Sequence, residues 1–317
     1  MASEKTRIRQ IRQHSRQLVR ELDIVNGVYL GTGFTISQCH VLFELSTHQS
    51  LNLMELADNL LIDKSNTSRT VKKLVEKGLV KSQNAVNDKR QKLFSLTARG
   101  EKVIRTMGSL ADQQVGDAID NLSKEQQELV IEGMQLYANA LRKSRLQADY
   151  RIRRIQKKDN PQVARVIRDV MIEYGAVGEG YSIDDPEVSD MYSNYRDSRS
   201  CYLVVTDADR VVGGGGIGPL KGGNKTTCEL RKMFFLPELR GIGMGRRLLL
   251  QLMDEARNRG YRMCYLETLD RMWRANELYR KNGFELLENP LGKTGHCACD
   301  RWYVRDLEEK SGEKVTR

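Results

Sequence analysis

Arg240-Gly-Ile-Gly-Met-Gly245 stands between an expected strand at 226–236 and an amphipathic run at 243–258. Three glycines at alternate positions let the backbone come close to a ligand. A helix starting behind them offers unpaired amides and the positive end of its dipole. Arg240 and Arg246 add charge, so the segment reads as a pyrophosphate cradle. A dinucleotide fold would place such a loop after its first strand, with an acidic residue about 20 positions on. Here the loop follows the fourth strand of its half of the chain. A nucleotide-triphosphate loop would end in Gly-Lys-Ser/Thr, which is absent.

Outward from this loop, hydrophobic periodicity predicts strands at 150–155, 201–206, 211–217, 226–236 and 261–267, and further strands near Phe284 and Tyr303. Helices are expected at 163–174, 243–258 and 272–281, with a short one near 187–194. That order implies an α/β domain with helices on the faces of a mixed sheet. Gly213-Gly-Gly-Gly216 inside an expected strand either narrows the sheet near a ligand or marks a bulge or turn; both readings stand. The loop at 175–186 carries Glu179, Asp184 and Asp185, with Glu173 just before it. It suits a lid over a cationic substrate, and it equally suits an ordinary exposed acidic loop.

The 317 residues suggest two domains, and the formal charge is +10. Nine basic residues between Lys64 and Lys92 face only Glu76 and Asp88, a local excess of +7 that would attract a polyanion. No apolar run is long enough to span a bilayer, and the amino terminus lacks the apolar stretch of a secretory signal, so a cytoplasmic protein is expected. The six cysteines have no disulfide-scaffold spacing. Cys297-x-Cys299 beside His296 is tighter than zinc spacing and has no second pair nearby, so no metal is expected.

Residues 1–145 read as mostly helical. Two short amphipathic helices, 53–61 and 64–77, flank Leu61-Ile-Asp63 with the proportions of a helix-turn-helix. Asp63 is placed to cap the second, and Val71, Leu74 and Val75 form its expected inward stripe. Ser65, Asn66, Thr67, Ser68 and Arg69 then fall where side chains meet base edges, and Lys72 and Lys73 where they meet phosphates. Strands at 79–82 and 91–96 around a polar turn make a wing with Arg90 at its tip. Two long helices follow, the second opening on Ser123 and Gln126 at capping-box spacing.

This half resembles the MarR family of winged-helix regulators. The likeness is carried by Lys64-Ser-Asn-Thr-Ser-Arg-Thr-Val-Lys-Lys-Leu-Val-Glu-Lys-Gly-Leu-Val80, Asp88-Lys-Arg90 and Leu96-Thr-x-x-Gly100. It implies a homodimer joined through its terminal helices on a pseudo-palindromic double-stranded DNA operator. It also implies that Asp88 braces Arg90 through an ion pair. A copy retained for dimerisation alone is the alternative.

The second half resembles the GNAT superfamily of N-acetyltransferases. Its signatures are Glu229-Leu-Arg-Lys-Met-Phe-Phe-Leu-Pro-Glu-Leu-Arg-Gly-Ile-Gly-Met-Gly-Arg-Arg-Leu-Leu249 and Ala275-Asn-Glu-Leu-Tyr-Arg-Lys-Asn-Gly-Phe284. The resemblance implies acetyl-CoA as cosubstrate, held at 240–246 by Arg240, Gly241, Ile242, Gly243, Met244, Gly245 and Arg246. The backbone of Met233, Phe234 and Phe235 would pair with pantetheine, and Asn276 would hydrogen-bond the same arm. Tyr279 would protonate the departing sulfur, against an alternative as a core aromatic. An amine attacks a thioester only when neutral, so a base must take its proton. Glu229 is the leading candidate and Glu267 the reserve; acceptor binding without proton transfer and a purely structural charge are the other readings of Glu229.

The expected organisation is therefore a mainly helical winged helix-turn-helix, 1–145, followed by an α/β GNAT fold with a mixed, mostly antiparallel sheet, 146–317. The expected function is a transcriptional regulator coupled to N-acetylation of an amine, either a small molecule or a protein lysine. The alternative is a regulator whose second domain only senses acetyl-CoA or another metabolite.

Overall fold

The computed structural model describes residues 3–85, 90–178 and 180–308, with the Asp184 side chain also left out. Asp88, the expected brace of the wing, and Glu179 of the acidic loop lie outside the described residues. The chain divides into two compact units, Met1–Glu132 and Gly133–Arg317.

In the first unit, α1 (Glu4–Glu21) precedes α2 (Ile36–Thr47), β1 (Leu51–Asn52), α3 (Leu53–Leu60) and α4 (Lys64–Glu76). β2 (Val80–Asn84), β3 (Lys92–Leu96) and α5 (Ala98–Ile119) follow. Local chemistry sets these boundaries. Thr35 with Gln38 and Asn52 with Glu55 form reciprocal capping boxes on α2 and α3, and Asp63 accepts from the Asn66 amide to start α4. The Thr97 hydroxyl accepts from the Gly100 amide and donates to the Gly78 carbonyl at 2.8 Å, which ties α5 to the end of the α4 segment. Leu42, Leu56, Val71, Leu74, Leu79 and Met107 make the buried core. The wing pairs β2 with β3, and β1 joins the free side of β3 in a strand too short for periodicity to announce.

Two expectations for α4 need correction. Val75 is 37% exposed, and the third buried position is Thr67 at 0%. Thr67, Val71 and Leu74 share one face at helical spacing. The Thr67 hydroxyl donates to the Asp63 carbonyl at 3.0 Å, so Thr67 packs inward and does not face a base edge.

The long helix α6 (Lys124–Leu146) opens with the expected capping box, Gln126 N to Ser123 Oγ at 3.3 Å and Ser123 N to Gln126 Oε1 at 2.9 Å. No residue of α1 or α6 is buried, although Ile8, Ile11, Leu18, Leu129, Ile131, Met134, Leu136 and Leu141 are large and apolar. No helix among the described residues is long and apolar enough to cross a membrane.

The second unit is built on a sheet of β4 (Tyr150–Arg154), β5 (Cys201–Asp207), β6 (Arg210–Pro219), β7 (Thr227–Phe235), β8 (Met263–Thr268), β9 (Glu285–Leu287) and β10 (Arg301–Asp306). Their order is β4-β5-β6-β7-β8-β10-β9, and only β7 and β8 run parallel. The helices are α7 (Asn160–Glu173), α8 (Met191–Asn194), α9 (Met244–Asn258) and α10 (Trp273–Lys281). One core cluster includes Leu248, Leu252 and Met253 of α9 with Val205, Val212 and Leu266. The other includes Val163, Ile167 and Met171 of α7 with Tyr202 and Val204. Helices thus cover both faces of the sheet.

Two irregularities position the site. The β7–β8 register runs from Thr227–Met263 to Leu230–Leu266 and stops, leaving the rest of β7 unpaired on that side. On its other side, β7 bulges against β6: Gly214 faces Phe234 and Gly216 faces Arg231, so Lys232 and Met233 oppose Gly215 alone. Lys232 takes φ +52°, and its carbonyl accepts from the buried Tyr202 hydroxyl at 3.0 Å. The glycine run of β6 lies within the strand. A Cβ at Gly216 would fall 2.6 Å from the Tyr202 ring and 2.7 Å from that of Tyr195, so aromatic packing requires glycine there.

Candidate active site and nucleic-acid interface

Where β7 and β8 part, two neighbouring pockets open. The outer cleft, of about 440 Å³, is lined by Met233, Phe234, Phe235, Arg240, Gly241, Gly243, Gly245, Arg246, Leu278 and Tyr279. Gly243 sits at the N-cap of α9 with φ +86°, which turns the chain so that the first-turn amides of α9 face outward. Met244 is fully buried and Ile242 packs on the core, so both can offer only backbone to a ligand. Arg246 is exposed at the cleft.

Two expected ligand contacts are already engaged. Arg240 grips Glu173 through bonds of 2.5 and 2.7 Å and donates to the Phe235 carbonyl at 3.0 and 3.1 Å. Its guanidinium ties α7 to the turn after β7, and its charge is met inside the protein. Asn276 is buried, with its amide nitrogen on the carbonyls of Leu269, Asp270 and Met272 and its oxygen accepting from Tyr303 at 3.0 Å. It caps the turn into α10 and is no free pantetheine donor. Of the acidic residues on and before the 175–186 loop, Glu173 is held by Arg240, and Asp185 is paired with Lys232 and His296.

The inner pocket, about 90 Å³, is walled by Glu229, Glu267, Thr268, His296 and Tyr181. Met233, Phe234, Met272, Ala275 and Tyr279 line both spaces, so these five residues form the wall between them. Glu229 is 4% exposed. Its nearest charged partner is Arg231 Nε at 3.7 Å, beyond hydrogen-bond reach. Burial pushes its carboxyl up to about 7, against the opposing pull of Arg231. Near neutral pH it can therefore exchange a proton. Burial also raises the Tyr279 hydroxyl, which keeps it protonated.

Glu267 is more constrained, accepting from Tyr265 at 2.7 Å and from Thr294 at 3.0 Å. His296 Nδ1 lies 3.5 Å from Glu267, and Nε2 lies 3.0 Å from Asp185. These hydrogen bonds, Asp185 first, raise its imidazole to about 9 despite burial. Lys232 completes the cluster on Asp185 and, at 3.2 Å, on Glu187. Sequence reading missed His296 and Lys232 as members of this site and placed Asp185 only on a loop that could serve as a lid. Their meeting depends on the β7 bulge and on the 294–300 loop, which no local pattern links.

In the first unit, Ser65, Asn66, Ser68, Arg69, Lys72 and Lys73 are exposed on α4. Ser65 donates to Asp63 at 2.7 Å, Arg69 to Asn66 at 2.5 Å, and Lys72 lies 3.9 Å from Glu76. Arg90 is exposed in the turn before β3. A cationic, polar helix face is thus presented beside a two-stranded wing.

The chain matches the MarR family over residues 34–92 and the Acetyltransferase (GNAT) family over residues 164–284. The Escherichia coli (strain K12) protein YjgM, an uncharacterised N-acetyltransferase, is 44% identical over 157 residues, covering 49% of this chain and 94% of YjgM. The Staphylococcus aureus (strain Mu50) HTH-type transcriptional regulator SAV2265, also uncharacterised, is 31% identical over 96 residues, covering 30% of this chain and 66% of its own. Among solved structures, a GNAT-family acetyltransferase from Staphylococcus aureus Mu50 covers 50% of this chain and 99% of itself, at 20% identity and a TM-score of 0.46.

Proposed function

Because the chain is a MarR-like helix-turn-helix domain fused to a GNAT-family acetyltransferase domain, we propose that it is a DNA-binding regulator carrying an acetyl-CoA-dependent N-acetyltransferase. The observation that carries the catalytic reading is Glu229. Among the described residues this buried carboxylate has Arg231 Nε at 3.7 Å and no closer polar partner, and it lines a pocket that shares Tyr279 with the glycine-loop cleft. A purely structural buried carboxylate is normally hydrogen-bonded.

The cosubstrate supplies the acetyl thioester. The amides of Gly241, Gly243 and Gly245 and the first turn of α9 would hold its pyrophosphate, with Arg246 adding charge. The unpaired edge of β7 at Met233, Phe234 and Phe235 would pair with the pantetheine arm. Glu229 takes a proton from the acceptor ammonium, and the neutral amine attacks the acetyl carbon. As the C–S bond breaks, Tyr279 gives its proton to the sulfur, and the second proton shed by the attacking nitrogen restores the tyrosine hydroxyl. Glu267 already accepts from two hydroxyls, those of Tyr265 and Thr294, so the base role falls to Glu229. The acceptor is a primary amine, on a small molecule or a protein lysine, whose reacting end fits the inner pocket.

In the regulator half, α4 enters the major groove with Ser65, Asn66, Ser68 and Arg69 towards bases and Lys72 and Lys73 on phosphates. Arg90 reaches the adjoining minor groove. The uncovered apolar residues of α1 and α6 are the proposed homodimer surface, and the functional halves are taken as 1–145 and 146–317. Release of CoA from acetyl-CoA across a panel of primary amines, run beside operator selection on random duplex DNA, tests the reading. Turnover with at least one amine and selection of a palindromic site support it. Tight acetyl-CoA binding with no turnover across the panel would leave a sensor in place of an enzyme.

A further inference from the structure

The glycine loop has a neighbour outside the matched acetyltransferase region. Gln147, just after α6, donates from Nε2 to the Ile242 carbonyl at 2.8 Å. One turn earlier lies Lys143, and the Gln147 amide closes that turn on the Lys143 carbonyl at 3.0 Å. A Cβ built on Gly243 would sit 3.0 Å from Gln147 Nε2 and 3.3 Å from Lys143 Cδ. The last turn of α6 therefore packs directly on the loop, and Lys143 lines the outer cleft beside Gly241, Gly243 and Arg246.

Charge accounting gives this contact its meaning. A cofactor pyrophosphate brings negative charge, and amides alone supply only partial positive charge. Of the cations lining the cleft, Arg240 is held by Glu173, and Lys281 pairs with Glu277 at 2.7 Å. Arg274 stacks over Trp273. Among the described residues, Lys143 and Arg246 beside the loop make no ion pair. Lys143 also completes the last turn of α6, where a cation favours the helix dipole, so its test must separate that structural role from ligand binding.

We propose that the last turn of α6 is part of the acetyl-CoA site, with Lys143 as a phosphate ligand and Gln147 as the positioning residue of the glycine loop. The inference rests on the reading of that loop as the acetyl-CoA cradle. It extends the cofactor site to a helix that begins at Lys124, well before the acetyltransferase match at 164.

Calorimetric titration of the full chain with acetyl-CoA and with S-acetylpantetheine, which lacks phosphates, tests it. Lys143→Met should weaken acetyl-CoA binding roughly fivefold to thirtyfold and flatten its salt dependence. S-acetylpantetheine affinity should be unchanged, and Lys143→Arg should restore most of the loss. Gln147→Leu should show the same selectivity for the phosphate-bearing ligand. Equal acetyl-CoA affinity and salt dependence in wild type and Lys143→Met would overturn the proposal. Parallel loss of both ligands would also overturn it, because that marks general damage. If the wild-type chain bound no acetyl-CoA, the cofactor reading itself would fall, and this inference with it.

Discussion

The Tyr303 hydroxyl donates to Asn276 Oδ1 at 3.0 Å, joining β10 to α10 inside the acetyltransferase core. Both residues are at least 95% shielded from solvent, and the Asn276 nitrogen is already shared by backbone carbonyls of the preceding turn. The pair therefore fixes where α10 starts, and with it the placement of Tyr279 three residues on. Tyr303→Phe leaves a buried amide oxygen without its donor and should lower unfolding free energy by about 1–3 kcal/mol. Acetyl-CoA affinity under folding conditions should stay within about twofold. Urea titration and calorimetry on the same sample check both. Unchanged stability with weakened cofactor binding would return Asn276 to the ligand.

The inward turn of Thr67 separates two kinds of α4 variant. Thr67→Ala removes a buried methyl and a hydroxyl that donates to Asp63, so it should cost stability on the order of 1–2 kcal/mol. Operator preference should survive. Arg69→Ala should instead leave the melting temperature nearly unchanged and broaden the selected sequence. Differential scanning fluorimetry with sequence selection on both variants distinguishes these outcomes.

Lys72 and Lys73 should act through phosphates. Replacing both with methionine should weaken binding to specific and random duplexes alike. It should also lower the slope of log K against log salt by about 2, near 0.9 for each lost contact. Fluorescence anisotropy over a salt series reads the slope, and an unchanged slope would remove them from the interface.

His296 carries a pH signature. Its folded pKa, about 9, lies above the ordinary 6.5 because Asp185 and Glu267 accept from the imidazolium. Its contribution to stability is therefore fully present below about 6.5 and is lost as pH rises through about 9. Thermal melts of His296→Gln should fall furthest below wild type at pH 6, with the two curves converging by pH 9.5. A constant gap across that range would show that His296 is neutral in the folded protein.

Much of this architecture is legible in the sequence because its signals are local. Asp63 and Gly78 bracket α4, Ser123 and Gln126 announce α6, and the 240–245 glycines mark the turn into α9. The same local reading fails where tertiary packing decides. Thr67 looks like a surface residue of a recognition helix until the packing of α4 turns it inward beside Val71. Arg240 looks like a free cation until α7 brings Glu173 to it. The ionic cluster of Asp185, Lys232, Glu267 and His296 spans more than 100 residues of chain and depends on a bulge in β7, which periodicity does not encode. Gln147 and Lys143 lie before the recognisable acetyltransferase motifs, so no motif could have drawn them to the glycine loop.

With Glu229 as the proposed base, one experiment reads both catalysis and stability. The folded pKa of Glu229, about 7, exceeds the ordinary 4.5 because burial disfavours the charge. Its protonated form stabilises the fold fully below about 4.5, and that contribution is lost as pH rises through about 7. The ionised carboxylate then costs on the order of 3 kcal/mol. Glu229→Gln should thus be more stable than wild type at pH 8 while transferring acetyl groups roughly 10²- to 10⁴-fold more slowly. The decisive measurement is the single-turnover transfer rate between pH 5.5 and 8.5, using the best amine from the panel, for wild type and Glu229→Gln. The wild-type rate should climb with pH and level off above about 7, and the variant should lack this limb. A variant with wild-type rates and the same pH profile would contradict it.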